Sequence, residues 1–149
     1  MKPIAVNKRA RFDYEILETF EAGLVLKGYE VKSAKTGHVS LKGAFVTFNK
    51  NELYLTNAHI NPYKQAGNIE DYNPTAPRKL LVKKSEIKKL LGKARSEGLT
   101  LVPISMYNKK GLIKLSFGLA KGKKRLDKRQ TIQDREDDIK IERAYKEKR

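Results

Sequence analysis

Leu112-Ile113-Lys114-Leu115-Ser116-Phe117-Gly118-Leu119-Ala120 alternates two kinds of side chain. Ile113, Leu115, Phe117 and Leu119 fall on one side, and Leu112, Lys114, Ser116 and Gly118 on the other. A period of two is that of a strand with one face buried. The chain continues Lys121-Gly122-Lys123-Lys124-Arg125-Leu126-Asp127-Lys128-Arg129, where six cations are opposed only by Asp127. The alternation stops there and nothing in the run can build a core. A folded body is therefore expected over residues 1–120 and a basic tail over residues 121–149.

Working upstream, Leu99–Tyr107 reads as the partner strand, turned by Asn108-Lys109-Lys110-Gly111. Pro103 places it at an edge or a bulge. Before it, Ile87, Leu90, Leu91 and Ala94 recur at i, i+3, i+4 and i+7, the apolar stripe of a helix. Ser85 is placed to cap that helix and Gly98 to end it. Ala44–Phe48 and Glu52–Asn57 make a hairpin about Asn49-Lys50-Asn51. Phe12–Phe20 alternates as a half-buried strand, with a bulge permitted at Gly23. Gly28–Lys35 reads as a short helix, buried by Leu24, Leu26 and Val31 and ended by Gly37. Residues 61–77, with Pro62, Gly67, Pro74 and Pro77, form a long loop. Phe45, Phe48 and Phe117 are assigned to the core. Short strands, hairpin turns and one well-formed helix predict a mainly β fold. We expect a closed antiparallel barrel of OB type with flanking α-helices; a helix lying on an open sheet is the alternative.

The tail carries few large apolar side chains beyond Ile132, Ile139, Ile141 and Tyr145. The pairs Glu136–Lys140 and Glu142–Lys146 are each worth only ~0.3–0.5 kcal/mol. An isolated helix of this length needs more. The sequence predicts a tail disordered alone and helical on a surface that supplies contacts.

Charge narrows the partner. Of the 149 residues, 33 are Lys or Arg and 17 are Asp or Glu, a net charge of +16. Residues 121–149 hold 12 basic and 7 acidic side chains, which leaves 21 and 10, a net +11, on the body. A charge of this size in a small protein points to a polyanion. There is no cysteine, so disulfides, thiolate metal sites and thiol nucleophiles are excluded. His38 and His59, the only histidines, share no metal-binding spacing. Lys121-Gly122-Lys123-Lys124 lacks the glycine pattern of a phosphate-cradling loop, and Asp137-Asp138 reads as a solvated helix face. No nucleophile is paired with a base. The expectation is a binding protein with no cofactor and no metal. No apolar run approaches a membrane span or a signal peptide, so a cytoplasmic location is expected. Seven tyrosines and five phenylalanines among abundant cations suit phosphate contact and base stacking. Helix-turn-helix and zinc-finger patterns are absent, which favours RNA over DNA. A ribosomal or ribosome-assembly protein and a single-strand-binding module are the rival readings.

Five segments together resemble the small protein B family, the bacterial transfer-messenger-RNA-binding proteins of trans-translation. They are Asn7-Lys8-Arg9-Ala10-Arg11 with Tyr14, Phe20-Glu21-Ala22-Gly23, Gly28-Tyr29-Glu30-Val31-Lys32-Ser33, Arg78-Lys79-Leu80-Leu81, and Ala120-Lys121-Gly122-Lys123-Lys124 with Asp127-Lys128-Arg129. The resemblance implies the OB-type barrel and binding to the tRNA-like domain of transfer-messenger RNA. It implies delivery of that RNA to stalled 70S ribosomes together with elongation factor Tu carrying GTP. The tail would occupy the vacant decoding site and mRNA channel, against rRNA. The family's RNA-binding positions fall on Glu21, Leu81 and Lys114. Asn7, Lys8, Arg9, Lys32, Lys121, Lys123 and Lys124, within the shared segments, are further RNA-binding candidates. Its tail motif falls on Asp127, Lys128 and Arg129. Two positions depart from the family's usual pattern: Asn108 after Tyr107, and the small Ala34.

Overall fold

The computed structural model describes residues 3–63 and 72–123. In order, the elements are β1 (Pro3–Val6), α1 (Ala10–Asp13), β2 (Tyr14–Leu24), α2 (Gly28–Lys35), β3 (Val39–Ser40) and β4 (Phe45–Asn49). Then follow β5 (Glu52–Thr56), β6 (His59–Ile60), β7 (Arg78–Leu81), α3 (Lys84–Glu97), β8 (Thr100–Lys109) and β9 (Leu112–Gly122). Seven strands form one antiparallel sheet in the order β1-β8-β9-β2-β7-β5-β4, while β3 and β6 pair separately. The mainly β, antiparallel expectation holds. Full closure into a barrel is not found. The sheet curls until β4 packs near β8, but no ladder joins β4 to β1 among the described residues. The β1 edge has little to offer such a ladder. It is four residues long, its register with β8 shifts between Pro3 and Ala5, and Pro3 has no N–H to donate.

β9 is an interior strand of the sheet, paired along its length with β8 and β2. Ile113, Leu115, Phe117 and Leu119 are buried as their alternation requires. Past Gly118 the second face is covered too. Ala120 packs with Ala10, Val102, Tyr14 and Ile16, which is why the two-residue pattern fades while the strand continues to Gly122. Gly118 pairs in register with Thr19 and Val102 and lies between two bulges of the neighbouring strands. β2 slips register between Ile16 and Glu18, and β8 between Pro103 and Ser105. Pro103 thus makes a bulge inside the sheet, since β1 covers the outer flank of β8. The bulge that Gly23 would permit is not formed: Gly23 pairs in register with both Lys114 and Leu81.

Local chemistry explains the other boundaries. Lys50 and Asn51 take positive φ, 50° and 65°, the left-handed pair that a two-residue hairpin needs. The turn between β8 and β9 is shorter than expected. It uses Lys110 and Gly111, and the Asn108 side chain accepts the Gly111 N–H at 3.0 Å. So Asn108, one of the two departures, closes a turn. The other, Ala34, is fully buried on α2. α3 buries Ile87 and Leu90 and ends at Gly98, φ 65°. Ser85 does not cap it: Lys83 occupies the N-cap with no side-chain bond, and Ser85 lies inside the first turn. Phe12 belongs to α1 rather than to the strand. Phe45 is 46% exposed, because the hairpin register turns Val46 and Phe48 inward and Phe45 outward. Among the described residues no helix is long and apolar enough to cross a membrane.

One buried ion pair fastens α2 to the sheet. Arg78 of β7 donates to Glu30 Oε2 from Nε at 3.0 Å and from Nη2 at 2.7 Å. Its Nη1 donates to the carbonyls of Ala58 (2.7 Å) and Pro74 (2.8 Å). The other Glu30 oxygen accepts the Lys27 N–H at 3.0 Å, satisfying the start of α2.

Candidate nucleic-acid interface

Register assembles the site. Lys114 of β9 lies opposite Tyr107 of β8 on one side and Gly23 of β2 on the other. Gly23 in turn lies opposite Leu81 of β7. Glu21, two residues before Gly23, faces the same way. Glu21, Leu81 and Lys114 therefore meet on the outer face of the sheet, although sixty residues separate the first two. Gly23 is the gap at their centre. A Cβ there would stand 3.4 Å from Leu81 Cδ1 and 3.6 Å from Lys114 Nζ, so glycine leaves the two side chains open to a ligand.

The Glu21 carboxylate is held in place. The Tyr107 hydroxyl donates to Oε2 and Lys109 Nζ donates to Oε1 at 3.2 Å. Those two bonds, Tyr107 first, hold the carboxyl below its ordinary range despite partial desolvation. Burial, then the bond to Glu21, pushes the Tyr107 hydroxyl up to about 12. Glu21 is thus an oriented anion with lone pairs still facing solvent, able to accept from a 2′-hydroxyl or a base N–H. Leu81 is 56% exposed, an apolar surface for a base or sugar. Lys114 offers an ammonium to phosphate. Tyr107, Lys109 and Gly23 escaped the sequence reading as site residues. The β8–β9 hairpin register carries the signal for Tyr107 and Lys109, since it sets Tyr107 against Lys114 and Lys109 against Leu112.

The remaining candidates lie elsewhere. At the far end of the β2–β9 pair, Tyr14 faces Gly122 and Glu15 faces Lys121. Here Lys123 donates through Nζ to the Arg11 carbonyl at 2.8 Å and through its N–H to the Asp13 carbonyl at 2.9 Å. Arg9 pairs with Asp13 at 3.1 Å and lies 4.4 Å over the Phe12 ring. Lys8 is exposed. Asn7 serves the fold: its Nδ2 donates to the Pro103 carbonyl at 2.8 Å and its Oδ1 accepts the Arg9 N–H at 3.3 Å. Lys32 is on α2, its ammonium 5.8 Å from the Tyr63 ring. Lys124, Asp127, Lys128 and Arg129 lie outside the described residues, as do the helix-supporting pairs of the tail.

A curled antiparallel sheet whose outer face offers a cation, an exposed aliphatic side chain and a held carboxylate defines a small β protein suited to nucleic acid. Comparison with known proteins gives the particular family. The family model described as "SmpB protein" matches residues 4–147. A protein of Neorickettsia sennetsu named "SsrA-binding protein" is 55% identical over 137 residues, covering 91% of this chain and 92% of that protein. Proteins of the same name from Trichodesmium erythraeum and Coprothermobacter proteolyticus are 47% and 52% identical, each covering 98% of this chain and 94% and 98% of their own. A chain of the solved structure "tmRNA-SmpB: a journey to the center of the bacterial ribosome" is 47% identical, with a TM-score of 0.65 over 85% of this chain and 92% of that one. The chain belongs to the SmpB protein family.

Proposed function

We propose that this chain binds SsrA RNA, the transfer-messenger RNA, and acts with it and the ribosome in trans-translation. It is an RNA-binding protein, not an enzyme. The observation that carries the reading is the convergence of Glu21, Leu81 and Lys114 about Gly23 on an open sheet face, in a chain similar along nearly its whole length to SsrA-binding proteins.

In finer terms, residues 1–120 act as an OB-type module that takes the tRNA-like domain. Lys114 meets a phosphate, Leu81 lies against an unstacked base or a sugar, and Glu21 accepts hydrogen bonds from the RNA. Lys8, Arg9, Lys32, Lys121, Lys123 and Lys124 add phosphate contacts. Asn7 holds Arg9 in position. Residues 121–149 enter the vacant decoding site and mRNA channel of the stalled ribosome, with Asp127, Lys128 and Arg129 at the root. Elongation factor Tu with GTP accompanies delivery, and the setting is the cytoplasm. The support for these points is the resemblance of the motifs, together with the tail's charge.

Binding to transcribed SsrA RNA across a salt series tests the site. Lys114→Ala weakens binding and makes the log–log salt slope shallower by roughly 0.7–0.9, the value of one phosphate. Glu21→Ala weakens binding although it makes the protein more positive. Tighter binding by Glu21→Ala refutes a specific role for the carboxylate. Alanine at Asp127, Lys128 and Arg129 together spares RNA binding and blocks peptide tagging on ribosomes stalled at a message end.

A further inference from the structure

Between the β4–β5 hairpin, β7 and the start of α3 lies a cleft of about 600 Å³, floored by Leu81, Val82 and Ile87. Lys50, Lys79, Lys83, Lys84 and Lys88 stand around it, with Glu52 the one carboxylate in its lining. Glu52 is already engaged. It accepts from Lys79 Nζ at 2.9 Å and from the Tyr54 hydroxyl at 3.1 Å. The other four lysines make no ion pair among the described residues. Five lysines face a single carboxylate in this lining, and Glu52, which also acts on Lys84 at longer range, offsets only one of them, so the concavity keeps a positive excess that suits an anion. The neighbouring cleft along α3 is different, because Glu18 and Glu86 line it and Lys93 pairs with Glu18 at 3.3 Å.

Two further features point to the same ligand. Leu81 lines this cleft and also borders Gly23 and Lys114, so the two surfaces are continuous. α3 is fourteen residues long and begins at the cleft, with no side chain capping its first amides. Its positive end adds to the lysines.

We propose that the cleft receives the phosphate backbone of the same SsrA RNA strand that lies on Leu81 and Lys114, with Lys50, Lys83, Lys84 and Lys88 as its phosphate contacts. The proposal rests on the SsrA-RNA reading above and extends it by a second contact surface. An acidic protein is the competing occupant, and it would leave binding of naked RNA unchanged.

The test uses the full chain and transcribed SsrA RNA in filter binding over a salt series. The cleft variant is Lys84→Ala with Lys88→Ala. The control is Lys35→Ala with Lys42→Ala, two exposed lysines outside the cleft and outside the site. Both variants lower the net charge equally. For the cleft variant, the expected result is a log–log slope shallower by roughly 1.4–1.8, two phosphate contacts, and affinity at least about tenfold below the control at moderate salt. Lys114→Ala, run alongside, reports on the neighbouring site separately, so failure of the SsrA-RNA reading shows there. A cleft variant that matches the control in slope and affinity overturns the proposal, whatever Lys114→Ala does.

Discussion

Glu21 shows how one residue's role depends on partners far away in sequence. A lone surface carboxylate in a basic site would repel RNA. Tyr107, 86 residues along the chain, and Lys109 orient this one and favour its charged form. A depressed folded-state pKa means that these bonds contribute to stability above the ordinary carboxyl value of 4.5 and are lost as pH falls through the lowered one. Removing the hydroxyl therefore has a readable signature. Tyr107→Phe moves the Glu21 carboxyl titration, followed by its 13C shift, upward toward 4.5, and weakens RNA binding without changing net charge at neutral pH. An unmoved titration shows that Tyr107 does not hold the carboxylate. Arg78 is the structural counterpart. It is buried, and Arg78→Ala strands Glu30, so urea unfolding should register a loss of about 3–5 kcal/mol. Arg78→Lys also destabilises, because a lysine has no fork with which to reach Glu30 and two carbonyls together. Neither pairing was legible beforehand. Composition shows Glu21 and Arg78 as charges; the strand register brings Tyr107 and Lys109 beside the first, and the packing of α2 against β7 brings Glu30 beside the second.

Among the elements, β9 was the most legible and β1, β3 and β6 the least. Eight alternating residues announce an interior strand. The four of Pro3–Val6, and the two each of Val39–Ser40 and His59–Ile60, are too short for a period to show and exist because neighbours offer hydrogen bonds. Phe45 was misplaced for a related reason: an edge hairpin can face a phenylalanine outward, and its register, not its hydrophobicity, decides. α2 and the Gly98 stop of α3 were readable because local chemistry fixes them. Two glycines separate packing from propensity. At Gly118, between the bulges, a Cβ would stand 2.8 Å from Ile16 Cγ2 and 3.3 Å from the Glu18 carbonyl oxygen. Gly118→Ala should cost about 1–3 kcal/mol. Gly92, in the middle of α3, has nothing within 4 Å of such a Cβ. Gly92→Ala should stabilise by about 0.5–1 kcal/mol. Thermal melts of the two variants should shift in opposite directions.

For the molecule as a whole, the charge excess was legible at once, and it is spread over body and tail alike. Since the body carries a net +11 and the Glu21 site, truncation after Lys123 should leave SsrA-RNA affinity within about tenfold, a loss of only a few phosphate contacts. Circular dichroism checks that the truncated chain folds; complete loss of binding by a folded product sinks the expectation. Whether the barrel closes was not legible, because closure turns on hydrogen bonds at two edges that no periodicity records. The pairing of β2 with β9 has one more consequence. Glu21, Gly23 and Lys114 occupy one end of it, and Lys123, fastened to α1, occupies the other. From Tyr14 to Gly23 the pair spans roughly 30 Å at ~3.4 Å per residue. It is a ruler made of paired strands. Whatever grips the Glu21 end and whatever receives the chain beyond Lys123 are kept at a fixed separation, and adding two residues to each strand would lengthen it by roughly 7 Å without turning either face.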